Sequence, residues 1–301
     1  MEKSSLLFIL EREFTMDIVE QATPQDYYYN YCWWPYQPQA PTDGKIRASS
    51  LLFHSFALTG VFAPARQICE TMRTEIGCFR TVYGVKWAEG KLSWEYYLYD
   101  YKRENRNVSM SRVFQALQPH LECSVPFPED RPYFMFSFDL DPDLMKTTPR
   151  VDKVNMYIGN PGSTVSSGIS YGLTPEKTEM ENLYFFFDAR SQMSEVLEKL
   201  RCSAFHRGDD FVIENVLHKE LRNCHTICLA NKRNRDTVYY SGVGVQQLRW
   251  FLEAFNYPAE ITDFVAAHQH QLDHLLFDVG FDYQVVDGRA KAVKSGFYAV
   301  F

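Results

Sequence analysis

In MENLYFFFDA, residues 180–189, Asn182, Tyr184, Phe186 and Asp188 fall on one face of an extended chain, and Leu183, Phe185 and Phe187 fall on the other. A period of two is the signature of a β-strand whose faces meet different surroundings. Working outward from this stretch, ten such runs occur in five pairs: 81–87 with 91–101, 132–140 with 151–160, 166–173 with 180–189, 224–231 with 236–244, and 277–285 with 289–301. The second run of each pair carries a polar residue or tyrosine at alternate positions. Ten antiparallel strands with helices between the pairs can close into a cylinder, its apolar faces under an outer helical layer and its polar faces around a lumen. The expectation is an α+β protein: a ten-stranded antiparallel β-barrel of five hairpins surrounded by α-helices. Because a one-sided open sheet would print the same alternation, closure rests on the polar opposite face.

The chain has 301 residues and no linker-like stretch, so residues 1–301 read as one domain, with 1–80 as a helical and loop part and 80–301 as the hairpins and their helices. Aromatic residues make up 16% of the chain, more than a core needs, which points to rings lining a cavity. The formal net charge of −7 excludes a sequence-independent nucleic-acid binder, which would need a basic stripe. Any phosphate must therefore be held locally. Seven cysteines at irregular spacing, with no CxxC pair, predict reduced thiols and a cytoplasmic protein. The first residues, MEKSSLLFILEREF, are too short in apolar length and too soon charged for a leader or a membrane span, so no membrane partner is expected. A monomer is expected.

Helical spacing is read at 5–21, 64–77, 109–121 with Ser109 as cap, 191–205, 209–221, 245–255 and 259–276. The Pro- and aromatic-rich stretch 27–44 reads as a surface loop packed on the domain, with a lid over the barrel mouth as the sharper alternative. The tripeptides AEG (88–90) and VDG (286–288) mark hairpin turns.

The presumptive inner faces carry Glu95, Tyr97, Tyr99 and Tyr101; Lys153, Asn155 and Tyr157; Arg235, Thr237, Tyr239 and Ser241; and Lys294, Gly296 and Tyr298. Cations and tyrosines alternating around one ring would suit an anion beside an electron-poor centre, because an unmatched buried cation is costly and a tyrosine offers a hydroxyl and a π face. The competing reading is that Lys153, Arg235 and Lys294 lie near turns and reach solvent singly. Glu95, alone among aromatics on its face, is either a solvated strand residue or a buried carboxylate that accepts a hydrogen bond from a ligand.

On MFSFD (135–139), ENLYFFFDA (181–189) and KSGFYAVF (294–301), in their hairpin order, the chain resembles the soluble ABBA-type aromatic prenyltransferases over most of residues 80–301. The resemblance implies a prenyltransferase barrel that moves a dimethylallyl or similar group from an allylic diphosphate to an electron-rich aromatic acceptor, indole or tryptophan-derived, by Friedel-Crafts alkylation. It implies diphosphate contacts from Lys153, Asn155, Asn182, Arg235 and Lys294. Tyr97, Tyr99, Tyr157, Tyr184, Tyr239 and Tyr298 would shield the cation, and Glu95 would be the catalytic carboxylate that receives the ring N–H. Magnesium is expected to be dispensable and no metal site is predicted, because Tyr97 stands where magnesium-binding relatives have an aspartate.

Two other readings stay open. A closed aromatic lumen could bind a hydrophobic or phosphorylated small molecule with no chemistry, or the acceptor ring could belong to a peptide. His268, His270 and His274 in AAHQHQLDH suggest metal ligands, but Gln271 stands where the zinc-protease motif needs glutamate, and a polar helix face is the plainer reading. No P-loop and no GxSxG elbow is present.

Overall fold

A computed structural model describes residues 18–147, 149–160, 166–206 and 212–301. Ten strands form the wall: β1 (Thr81–Ala88), β2 (Lys91–Tyr99), β3 (Met135–Leu140), β4 (Val154–Asn160), β5 (Ser167–Leu173), β6 (Thr178–Asp188), β7 (Thr226–Lys232), β8 (Asp236–Val243), β9 (Phe277–Val286) and β10 (Arg289–Val300). Each pairs antiparallel with its neighbours in sequence, and β1 pairs with β10 from Val82↔Val300 to Trp87↔Ser295, so the barrel is closed. Closure leaves the barrel wall, among the described residues, without an edge strand to recruit another chain.

The turns follow from their residues. Glu89 and Gly90 both have positive φ (51° and 76°), as do Asp287 and Gly288 (51° and 71°), which is the two-residue hairpin geometry whose twist matches right-twisted strands. Outside the wall lie α1 (Ser49–Leu58), α2 (Phe62–Ile76), α3 (Met110–Leu117), α4 (Met193–Arg201), α5 (Val245–Ala254) and α6 (Ala259–Ala267). Outward-facing Tyr83, Val85, Trp94, Tyr96, Phe136 and Phe138 are fully buried against this layer. Trp94 shows how: its ring meets Phe56 edge-on at 4.8 Å and its indole N–H donates to Ser55 Oγ at 2.8 Å. Burying one such ring removes apolar surface worth about 1.5–3 kcal/mol, and the bonded N–H avoids an unsatisfied donor.

Two helices expected from spacing are shorter or absent. In 209–221, the residues from 212 onward form only 3-10 turns, Ile213–Asn215 and Lys219–Leu221, which bury Val216, Leu217 and Leu221 without a continuous helix. The stretch 259–276 breaks at His268 into α6 and a single turn, Gln269–Leu272. The expected helix over 5–21 lies almost wholly outside the described residues, as does the start of 209–221. Conversely, α1 has buried residues on every side, so no amphipathic period announced it. No helix among the described residues is long and apolar enough to cross a membrane.

Candidate functional site

The lumen is built in layers. Tyr97, Tyr157, Tyr184, Tyr239 and Tyr298, one from the second strand of each hairpin, form a collar with neighbouring ring centroids about 6 Å apart: 6.4 Å for Tyr97–Tyr157, 5.9 Å for Tyr157–Tyr184, 6.0 Å for Tyr239–Tyr298 and 6.0 Å for Tyr97–Tyr298. Beside each tyrosine, on the first strand of the next hairpin, the register places a small residue: Ser137, Ser170, Ala230, Gly280 and Gly84. Alternation of large and small inward residues is how a barrel of this width fills a layer. The two glycines matter for space, since a Cβ on Gly280 would stand 2.3 Å from Tyr239 Cδ1 and one on Gly84 2.6 Å from Tyr298 Cε1. Burial raises every collar phenol above its ordinary value, so the collar is neutral.

On one side of the collar lies a narrow aromatic chamber of about 50 Å³, completed by Tyr99, Phe134, Met135 and Phe186. Its end is stopped by residues 30–33 of the Pro- and aromatic-rich segment. Tyr31 N–H donates to Asp278 Oδ2 at 2.6 Å, Asn30 Nδ2 donates to Ser241 Oγ at 3.2 Å, and the Tyr101 hydroxyl donates to the Cys32 carbonyl at 2.7 Å. The Tyr99 hydroxyl likewise donates to the Tyr31 carbonyl. Tyr31 stacks on Tyr239 at 6.0 Å. Residues 30–33 thus cover one barrel end, while Tyr36 and Gln39 of the same segment bond to Leu276 and His274 on the domain. Burial pushes the Asp278 carboxyl up to about 7 against the hydrogen bonds it accepts.

On the other side of the collar a polar chamber of about 370 Å³ is lined by Lys86, Lys153, Lys232, Arg233, Arg235 and Lys294, and by Glu95, Asp139, Glu181 and Asp282. Six cations line it with four carboxylates, and Arg233 has a further partner in Glu179 at 2.9 Å, which leaves one positive charge in excess in a chain whose net charge is −7. Lys86 is held by Glu95 at 2.6 Å and by Asp139; Lys232 by Asp282 at 2.7 Å; Lys153 by Glu181 at 2.6 Å. Lys294 has neither a hydrogen bond nor an ion pair among the described residues. Lys86, burial and Lys232 together hold its amine down to about 8, against the pull of Asp139 and Glu95.

The expected residues divide accordingly. Lys153, Asn155, Asn182, Arg235 and Lys294 line one polar chamber, at whose edge Lys153 is exposed to solvent as well as paired with Glu181. Asn155 keeps a buried Oδ1 without a partner among the described residues. Tyr97, Tyr99, Tyr157, Tyr184, Tyr239 and Tyr298 all line the aromatic chamber. One expectation is corrected. Cations and tyrosines do not alternate in one ring; they occupy successive layers. Glu95 is the buried carboxylate of the two alternatives, with partners from the chain itself: burial would raise its carboxyl, but Lys86 and Lys294 outweigh that and hold it below its ordinary value, and it accepts from Ser137 Oγ at 2.6 Å. It is therefore an ion-paired carboxylate. Lys86, Lys232 and Asp282 sit on the first strands of their hairpins, outside the polar alternation of the second strands from which the inner face was read.

His270 pairs with Asp273 at 2.9 Å, His274 is buried edge-on to Tyr28, and no three His, Cys, Asp or Glu side chains among the described residues cluster so as to hold a metal ion.

No family model matches the chain. It is 22% identical over 298 residues to a putative JmjC domain-containing protein of Acanthamoeba polyphaga mimivirus, an alignment covering 86% of this chain and 47% of the relative. The chain thus spans about half the length of the curated relative it matches. That relative is described by a JmjC domain and not as a prenyltransferase, and on this finding the identification as an ABBA-type aromatic prenyltransferase, with the alkyl transfer to an indole it implied, is corrected. The barrel is described by its geometry alone.

Proposed function

We propose that the barrel binds an amphipathic small molecule with a compact, doubly charged anionic head, such as a phosphate or diphosphate ester, and an apolar body. The observation that carries this reading is the positive excess of the polar chamber, with the Lys294 amine unbonded among the described residues and within the electrostatic reach of Lys86 and Lys232. A buried cation without a counter-charge is costly, and a dianion in the chamber would remove the cost. The apolar body would lie against the collar tyrosines, which offer ring faces and no charge. The allylic diphosphate expected as a partner fits this description as a ligand, with no transfer assigned to it.

Calorimetric titration with inorganic diphosphate and with geranyl diphosphate tests the reading. The ester binds more tightly than the bare anion, and Lys294→Ala weakens both about ten- to a hundredfold, as loss of one charged hydrogen bond of about 1.5–3 kcal/mol requires. Absence of measurable heat with either ligand at low salt, or equal affinity in Lys294→Ala, overturns it.

A further inference from the structure

Lys294 differs in kind from the other lysines of the polar chamber. Lys86, Lys153 and Lys232 each have a carboxylate within 3 Å, whereas the Lys294 amine borders the cavity with no bonded partner among the described residues. It stands on β10 where that strand shifts register against β9, directly opposite Asp282. Asp282 is already engaged by Lys232 and by the Thr237 hydroxyl at 2.7 Å. We propose that Lys294 is a covalent attachment site: its amine condenses with the carbonyl of a phosphate-bearing aldehyde held in the polar chamber, giving an imine. The proposal borrows the anion seat from the function proposed above and adds a bond to it.

The step balances without a redox partner. The ammonium first gives its proton to water; the neutral Nζ then adds to the aldehyde carbon, and the carbonyl oxygen leaves with the two amine hydrogens as one water while C=N forms. The requirement is a neutral amine near pH 7–8, and lysines meet it when desolvated or set beside another cation. Both conditions hold here. Of the charged groups facing Lys294, Lys86 and Lys232 favour the neutral amine, as does burial, while Asp139 and Glu95 oppose it without prevailing. Asp282, the remaining carboxylate beside it, is itself stabilised as an anion first by Lys232 and then by Lys294, against burial. Lys291, three residues away and exposed, provides an internal comparison on the same strand.

The test uses pyridoxal 5′-phosphate as the phosphorylated aldehyde and pyridoxal as its phosphate-free counterpart, each followed by borohydride reduction and peptide mass mapping at pH 7.5. Pyridoxal 5′-phosphate is expected to label Lys294 at least tenfold faster than Lys291, and inorganic diphosphate is expected to slow that labelling. Lys294→Arg, which keeps the charge but forms no imine, loses the adduct while circular dichroism shows the barrel folded. Labelling spread over exposed lysines with Lys294 no faster than Lys291 overturns the attachment site, whatever diphosphate does. Selective labelling of Lys294 at equal rates by both aldehydes, unslowed by diphosphate, leaves the reactive amine standing and removes the anion seat instead.

Discussion

A lysine amine held down to about 8 means that the folded chain disfavours the charged form relative to the unfolded chain, where the amine titrates near its ordinary value. Between those two values the unfolded state binds more protons, so the stability linked to this group rises with pH across that window and is lowest below it. Lys294→Met removes the charge and keeps the stem. The variant is expected to melt several degrees above the parent at pH 7 and to lose that advantage by pH 10.5, as measured by differential scanning calorimetry of both proteins across the range. A constant difference at all pH values would locate the effect in packing and not in charge. The position itself was legible, because the alternation of AKAVKSGFYAV puts Lys294, Gly296 and Tyr298 on one face. Its missing partner was not, since partners are set by residues such as Lys86 and Asp282 that lie on other strands and close on it only in the barrel.

At the scale of strands and loops, the inward faces of the second strands were readable by period alone, while the segments between hairpins were not. From residue 212 onward the helix expected over 209–221 gives way to short turns, where β-branched Val212, Ile213 and Val216 disfavour a helix and the apolar residues find the wall without one. The collar tyrosines were legible on their strand faces, but the small residues set beside them were not. These small partners, Ser137, Ser170, Ala230, Gly280 and Gly84, lie on strands whose alternation was read only for apolar content, and the pairing that sets each beside a tyrosine depends on barrel tilt. Gly280 offers a test. A methyl there meets Tyr239 backed against the wall, and the ring must swing into the lumen or the β8–β9 pairing must spread. Gly280→Ala is expected to cost about 1–3 kcal/mol in urea unfolding, the usual penalty of overfilling a packed site. Adding Tyr239→Phe should leave that cost in place, because the clash is with ring carbons and not with the hydroxyl. An unchanged midpoint in the single variant would show the collar to be loose.

For the whole molecule, closure is the step on which both chambers depend, and it is made between strands far apart in sequence: Val82 pairs with Val300 and Trp87 with Ser295. Loop-closure entropy opposes such a pairing until the intervening eight strands are in place, so the β1–β10 seam is expected to form late and to gate cooperative folding. The seam also borders the polar chamber, since β1 supplies Lys86 and β10 supplies Lys294 and Tyr298. Deleting residues 289–301 leaves β1 and β9 with bare edges beside an exposed lumen wall rich in tyrosine. The shortened chain is expected to lose the sharp thermal transition and to associate through those edges, as seen by light scattering alongside the melting curve. Replacing only the exposed hairpin tip, Val286→Ser with Arg289→Ser, touches neither the seam nor the chambers and should keep the transition sharp. A monomeric deletion variant that still unfolds in one sharp step would mean that nine strands suffice and that closure serves the ligand chambers and not the stability of the wall.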